Sequence, residues 1–153
     1  MLRVIQDERD PDATRAADAR SGYQLAILTV VRRLSPKDFE QLIDHILART
    51  GWARISTLGK TGEGIDVEAE NLAVGEIAFV QVKSAADQQV LNDYVQRFQQ
   101  RREFYARMIF AVHSPTGTLE PPTDHAVQVW TGDRIAHLVV RLGLGEWVET
   151  RLA

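Results

Sequence analysis

Residues 64–84 read GIDVEAENLAVGEIAFVQVKS, two runs of alternating character separated by a turn near Val74 and Gly75. Alternation with a period of two marks a strand. Two such runs joined by so short a link favour an antiparallel pair. A chain with this hairpin must fold around a sheet, and the polar residues inside the hairpin limit how its faces are buried. In the second run Ile77, Phe79, Gln81 and Lys83 share one face, while Ala78, Val80 and Val82 share the other. In the first run Asp66, Glu68 and Glu70 share a face. Paired as a meander, the two runs bring Asp66, Gln81 and Lys83 together at one end of the sheet.

The flanking segments supply helices. Residues 1–20 are polar and charged and read as a loose N-terminal arm or irregular helix, ahead of a single domain over 21–153. Ser21 to Leu34 carries enough apolar residues for a buried helix or strand, and its length favours a helix. Ser35-Pro36 restarts the chain, with serine suited to an N-cap and proline to the first helical position. From Pro36 to Arg49, Phe39, Leu42, Ile43, Ile46 and Leu47 fall on one helical face. Glu40 sits at the margin of that face beside Leu47, within reach of the rim of whatever the helix packs on, whereas Gln41 and His45 point away. Residues 52–58 form a strand, 59–64 a glycine-bearing loop, and 65–70 and 76–83 the hairpin. Ser84 resembles an N-cap with Asp87 three residues on, opening a helix to about Phe104. Residues 108–112 and 126–130 are further strands, separated by a loop with three prolines, and helices are expected to Leu142 and over 146–152. Short links imply an antiparallel meander, and helix-linked strands imply parallel additions. The expected fold is α/β, with a central mixed sheet of about five strands flanked by helices.

Composition narrows the chemistry. The chain has 153 residues, 44% of them hydrophobic, enough for a packed core. It has no cysteine, which excludes disulfides and thiolate metal sites. No apolar run reaches the length of a membrane span, and the charged start MLRVIQDERDPD is unlike a secretion signal. A cytoplasmic location is therefore expected. The net charge of −3 argues against adhesion to nucleic acid through bulk charge. Residues 97–107, RFQQRREFYAR, hold four arginines and read first as a solvated helix face, second as a phosphate-contacting one.

A carboxylate, an amide oxygen and an ammonium group converging beside an acidic helix margin have a chemical meaning. A hard cation such as Mg²⁺ takes oxygen ligands and keeps several waters. Asp66 offers a charged oxygen, Gln81 a neutral one, and the Val82 backbone carbonyl a third. Such a cation polarises a phosphodiester and acidifies water. Lys83 can balance charge that builds at phosphorus. Glu40 can hold a metal-bound water or a second ion.

The segments DFEQLIDHILARTGW, GEGIDVEA and FVQVKS, in this order and spacing, resemble the Mrr-like restriction endonucleases of the PD-(D/E)xK nuclease fold. Gln81-Val82-Lys83 matches the QxK variant of the last motif, and VQVWTGDRIAHLV is similar to the group's strand, glycine-acid and helix ending. The resemblance covers roughly residues 36–142. It implies Asp66 as main metal ligand, Gln81 as second ligand, Lys83 as catalytic lysine and Glu40 as the helix-borne acid. It also implies Mg²⁺ (or Mn²⁺)-dependent cleavage of DNA. The loop GKTGEGID departs from the GDGGID form of many relatives, with Glu63 standing near the missing acid. The first 35 residues are too few for a winged helix, so specificity is expected from a homodimer, a separate domain or a partner.

Each residue taken singly has an ordinary reading. Asp66 can cap a turn or pair with Lys60, Gln81 can be a satisfied buried amide, Lys83 an ordinary strand-end lysine, and Glu40 a solvent-edge acid. His45 reads as solvated and His113 as structural, while His125 and His137 lack ligand spacing. The alternative function is a catalytically inactive module of the same fold that binds DNA or protein.

Overall fold

A computed structural model describes residues 10–61 and 64–152 of the chain. The element order is α1 (Pro11–Arg32), α2 (Pro36–Arg49), β1 (Trp52–Thr61), β2 (Gly64–Asn71), β3 (Ile77–Ala86), α3 (Gln88–Gln99), β4 (Arg107–Pro115), β5 (Val127–Trp130), α4 (Gly132–Arg141) and α5 (Gly145–Thr150). The five strands form one sheet in the order β1-β2-β3-β4-β5. β1, β2 and β3 run antiparallel, and β4 and β5 add parallel to β3. The expected α/β class with a mixed five-stranded sheet is thus observed.

Two cores form, one on each face of the sheet. Alternation sends Ile65, Val67, Val80 and Val82 into a core with α1, α2, α4 and α5. It sends Phe79, Phe110 and Val112 the other way, into a core with Leu91, Val95 and Phe98 of α3. α2 is the best-formed helix. The Ser35 hydroxyl accepts from the Asp38 amide at 3.1 Å, and Pro36 occupies the first turn. Phe39, Leu42, Ile43, Ile46 and Leu47 are then at most 1% exposed.

Several element boundaries differ from the sequence reading. α1 begins at Pro11, because Asp10 accepts from the amides of Asp12 and Ala13 and starts a regular helix there. β1 continues to Thr61, where it pairs with Gly64, so most of the expected loop is hairpin; residue Glu63 lies outside the described residues. β3 continues past Ser84, because Ala85 and Ala86 pair with Ser114 and Pro115 of β4. Asp87, not Ser84, caps α3 by accepting from the Val90 amide. α3 ends at Gln99, since the chain must turn to bring Arg107 beside Ala78. His45 is not merely solvated: its ring meets Trp147 edge-on, with centroids 4.9 Å apart.

β1 is one edge of the sheet. Register shifts between Arg54 and Ser56 and between Thr57 and Gly59 leave Ile55 and Leu58 without partners on β2. Both side chains are about half exposed. Among the described residues, no helix is long and apolar enough to cross a membrane.

His113 packs inside the fold, as a structural reading expects. It is 4% exposed, its ring stands edge-on to Phe39 at 4.5 Å, and Nδ1 lies 2.7 Å from the Ser114 hydroxyl. Burial, helped by the nearby Arg32 charge, lowers its pKa from 6.5 to about 4. Between those values the unfolded chain takes up a proton that the folded chain refuses, so stability is lost as pH falls. His113→Gln is expected to flatten the decline in unfolding free energy, read from urea denaturation, between about pH 7 and pH 4.5, by up to ~2 kcal/mol. An equal decline in both proteins removes His113 from the cause. Leu42→Ala is expected to cost roughly 2–5 kcal/mol in denaturant unfolding, because it opens a cavity under α2.

Candidate active site

Register places the polar residues of the hairpin. Asp66 lies directly opposite Gln81, and Gly64 opposite Lys83, in the β2–β3 ladder. Directly opposed residues project to the same face. Asp66, Gln81 and Lys83 therefore share one face, the one covered by α3. The shared face is the one that alternation predicts.

Each member has a distinct environment. Gln81 is 0% exposed, and neither its Oε1 nor its Nε2 has a hydrogen-bond partner among the described residues. Leaving such a group unsatisfied costs on the order of 1–3 kcal/mol. Asp66 is half-buried, and burial raises its pKa. The charges of Lys83 and Arg97 and a hydrogen bond offered by Tyr94 act in the opposite direction without reversing it. Lys83 Nζ sits 5.1 Å from the Tyr94 ring centroid, a cation–π distance. A Cβ at position 64 would lie 2.4 Å from the Val82 carbonyl oxygen and 3.0 Å from Lys83 Cγ. Glycine is thus required where β2 passes the Val82 carbonyl and the Lys83 stem.

Glu40 does not join this group. α2 packs on the opposite face, against the Ile65 and Val67 side of β2. There Glu40 lies 3.8 Å from both Arg54 Nη1 and Lys60 Nζ of β1. These two residues are register partners of Ala69 and Ile65, not of the face that carries Asp66. The helix margin was legible, but the side of the sheet it covers was not. The same interaction draws Lys60 toward Glu40 rather than toward Asp66.

The wall facing Asp66 comes from α3. A cleft of about 520 Å³ opens between β2 and the end of this helix; Asp66 lines it together with Arg97 of α3 and with Gln100 and Arg101 of the turn that follows, over Phe79 and Tyr105. Glu68, further along β2, is held by the Ser56 hydroxyl at 2.6 Å. Tyr94 and Arg97 lie three residues apart on α3, and Arg101 follows in the turn beyond its C-cap. A second cleft of about 600 Å³ lies over the start of α4, between Arg32, Ser114 and Asp133.

The fit to a divalent cation rests on the donors present. No cluster of three His, Cys, Asp or Glu side chains suited to a metal forms among the described residues. Asp66 and the unpartnered Gln81 oxygen provide one charged and one neutral donor side by side. One carboxylate plus waters matches the habit of Mg²⁺, which dehydrates reluctantly.

Residues 31–139 match the family described as restriction endonuclease, in its Mrr catalytic domain. No curated protein and no solved structure matches the chain.

Proposed function

The chain belongs to the Mrr-like restriction endonuclease family, and from that premise we propose that it is a metal-dependent endonuclease that hydrolyses phosphodiester bonds of DNA. One observation carries the reading: a wholly buried carboxamide with no partner among the described residues stands in register with a carboxylate, on the face that also holds Lys83. Buried side-chain amides ordinarily have partners; among the described residues Ser84 Oγ and His113 Nε2 are also buried without one, but only Gln81 stands in register with a carboxylate.

Asp66 and Gln81 would hold Mg²⁺ or Mn²⁺, with the Val82 carbonyl as the third protein oxygen. When bound, the cation supplies Lewis-acid polarisation of the phosphodiester and acidifies water. The chain's own residues do the rest. Lys83, held near Tyr94, offers its ammonium to the charge that develops at phosphorus. Asp66 must be ionised to serve as a ligand, and its burial makes it protonate at higher pH than an ordinary carboxyl. Glu40 is left out of the donor set; its part is to anchor β1 through Arg54 and Lys60. One such site cuts one strand, so a double-strand break calls for a second copy or a second encounter.

A second reading, a DNA- or protein-binding module without activity, is favoured by one fact: the site offers a single carboxylate where a stronger metal site would have two. The experiment that decides is nicking of supercoiled plasmid in Mg²⁺ or Mn²⁺. Wild type is expected to nick. EDTA, Asp66→Ala and Lys83→Ala are each expected to cost at least about 100-fold. DNA binding without nicking, indifferent to Lys83→Ala, would establish the module instead.

Two finer outcomes follow from the environment of the ligands. Gln81→Glu is expected to tighten Mn²⁺ binding in calorimetry, since it adds a charged donor; an unchanged affinity excludes position 81 as a ligand. A raised carboxyl pKa means that ionised Asp66 costs the fold stability at neutral pH, a cost that disappears as pH falls through the folded pKa. Asp66→Asn is therefore expected to abolish nicking while holding or raising the urea midpoint at about pH 7. A clear drop in midpoint would show that Asp66 serves the fold.

A further inference from the structure

Four arginines lie between residues 97 and 107, and the fold divides them two and two. Arg102 Nη1 reaches Asp124 Oδ2 at 2.6 Å, and its guanidinium lies 4.7 Å over the Phe98 ring. Arg107 Nε donates to Glu76 Oε2 at 3.1 Å. Arg97 and Arg101 take no part in the ion pairs found among the described residues, and both line the cleft that contains Asp66. Arg97 is further fixed by stacking 4.8 Å over the Tyr94 ring. A stacked guanidinium keeps its N–H edge free for bidentate bonds to an anion. The cleft thus has the Asp66 carboxyl of β2 on one side and two guanidinium groups, one at the end of α3 and one in the turn after it, on the other.

We propose that Arg97 and Arg101 form a phosphate-binding wall that seats the backbone of the substrate strand against Asp66 and Lys83. The proposal rests on the nuclease reading of the same site, and it names the groups that hold the substrate. A chain of net charge −3 gains little from bulk attraction to a polyanion. It needs local cations at the cleft, and these two arginines are the ones the fold leaves uncommitted. A phosphodiester between the walls would have its non-bridging oxygens on the guanidinium side and the reacting centre on the carboxylate side. The competing structural role is that Arg97, in the last turn of α3, complements the helix dipole. That role involves no phosphate.

Salt dependence separates the two. Fluorescence anisotropy of a labelled DNA duplex of about 20 base pairs, in Ca²⁺ without Mg²⁺, would be measured over a KCl series. The paired variant Arg97→Gln/Arg101→Gln is expected to lower the slope of log Kd against log salt by about 2, roughly 0.9 for each phosphate that is no longer neutralised. Binding should weaken alike on unrelated sequences, because phosphate contacts carry no sequence information. Arg97→Lys/Arg101→Lys should recover the slope, and Arg102→Gln should leave it unchanged. If the paired Gln variant fails to fold by circular dichroism, the single substitutions decide, each expected to lower the slope by about 1. A wild-type slope in folded Gln variants overturns the proposal, as does wild-type protein without salt-dependent binding. Arginine-dependent binding joined to an absence of nicking in Mg²⁺ and Mn²⁺ would uphold the wall and reject the nuclease reading.

Discussion

The antiparallel register of β2 on β3 governs the rest of the molecule. Because Asp66 lies opposite Gln81, a period of two dictates which residues face α3 and which face α2. A slip of one residue would carry Asp66 into the apolar core beneath α2 and expose Ile65 and Val67. The burial of those two, at 2% and 1% exposure, is what holds the register. The polar face is thus a by-product of the apolar one: the hydrophobic effect fixes the alignment, and the chemistry inherits it.

The two faces do unequal work. One is covered by four helices and holds the larger core. The other is covered by α3 alone, and it contains the buried unsatisfied amide of Gln81 and the half-buried carboxyl of Asp66. Both features oppose folding. Proteins hold such groups where the surrounding packing is strong enough to impose them. Here that packing includes the aromatic layer of Phe79, Tyr105 and Tyr94, with Phe79 and Tyr105 stacked at 5.3 Å.

Much of this was legible in the residues. The strand count, the meander, the parallel additions and the shared face of Asp66, Gln81 and Lys83 all follow from period-two alternation and link length. What alternation cannot reveal is which helix lies on which face. The apolar stripe of α2 shows that Glu40 borders a buried surface, but the stripe is the same whichever side of the sheet it meets. The helix between parallel β3 and β4 must cover one face, but alternation alone does not say that this is the face bearing Asp66. Local capping signals were similarly overridden. Ser84 has the chemistry of an N-cap, yet pairing of Ala85 and Ala86 with β4 keeps the backbone extended past it.

The two bulges in β1 have a consequence for colloidal behaviour. A free edge strand of ten residues is a template on which another polypeptide can extend the sheet, the first step toward fibrils. By interrupting the regular spacing of amides and carbonyls twice, the offsets around Ile55 and Leu58 deny an incoming strand a continuous ladder. At the opposite margin β5 is only four residues long. Neither border invites self-templated growth, so the chain can leave two apolar side chains in water at its rim without recruiting its neighbours through the backbone.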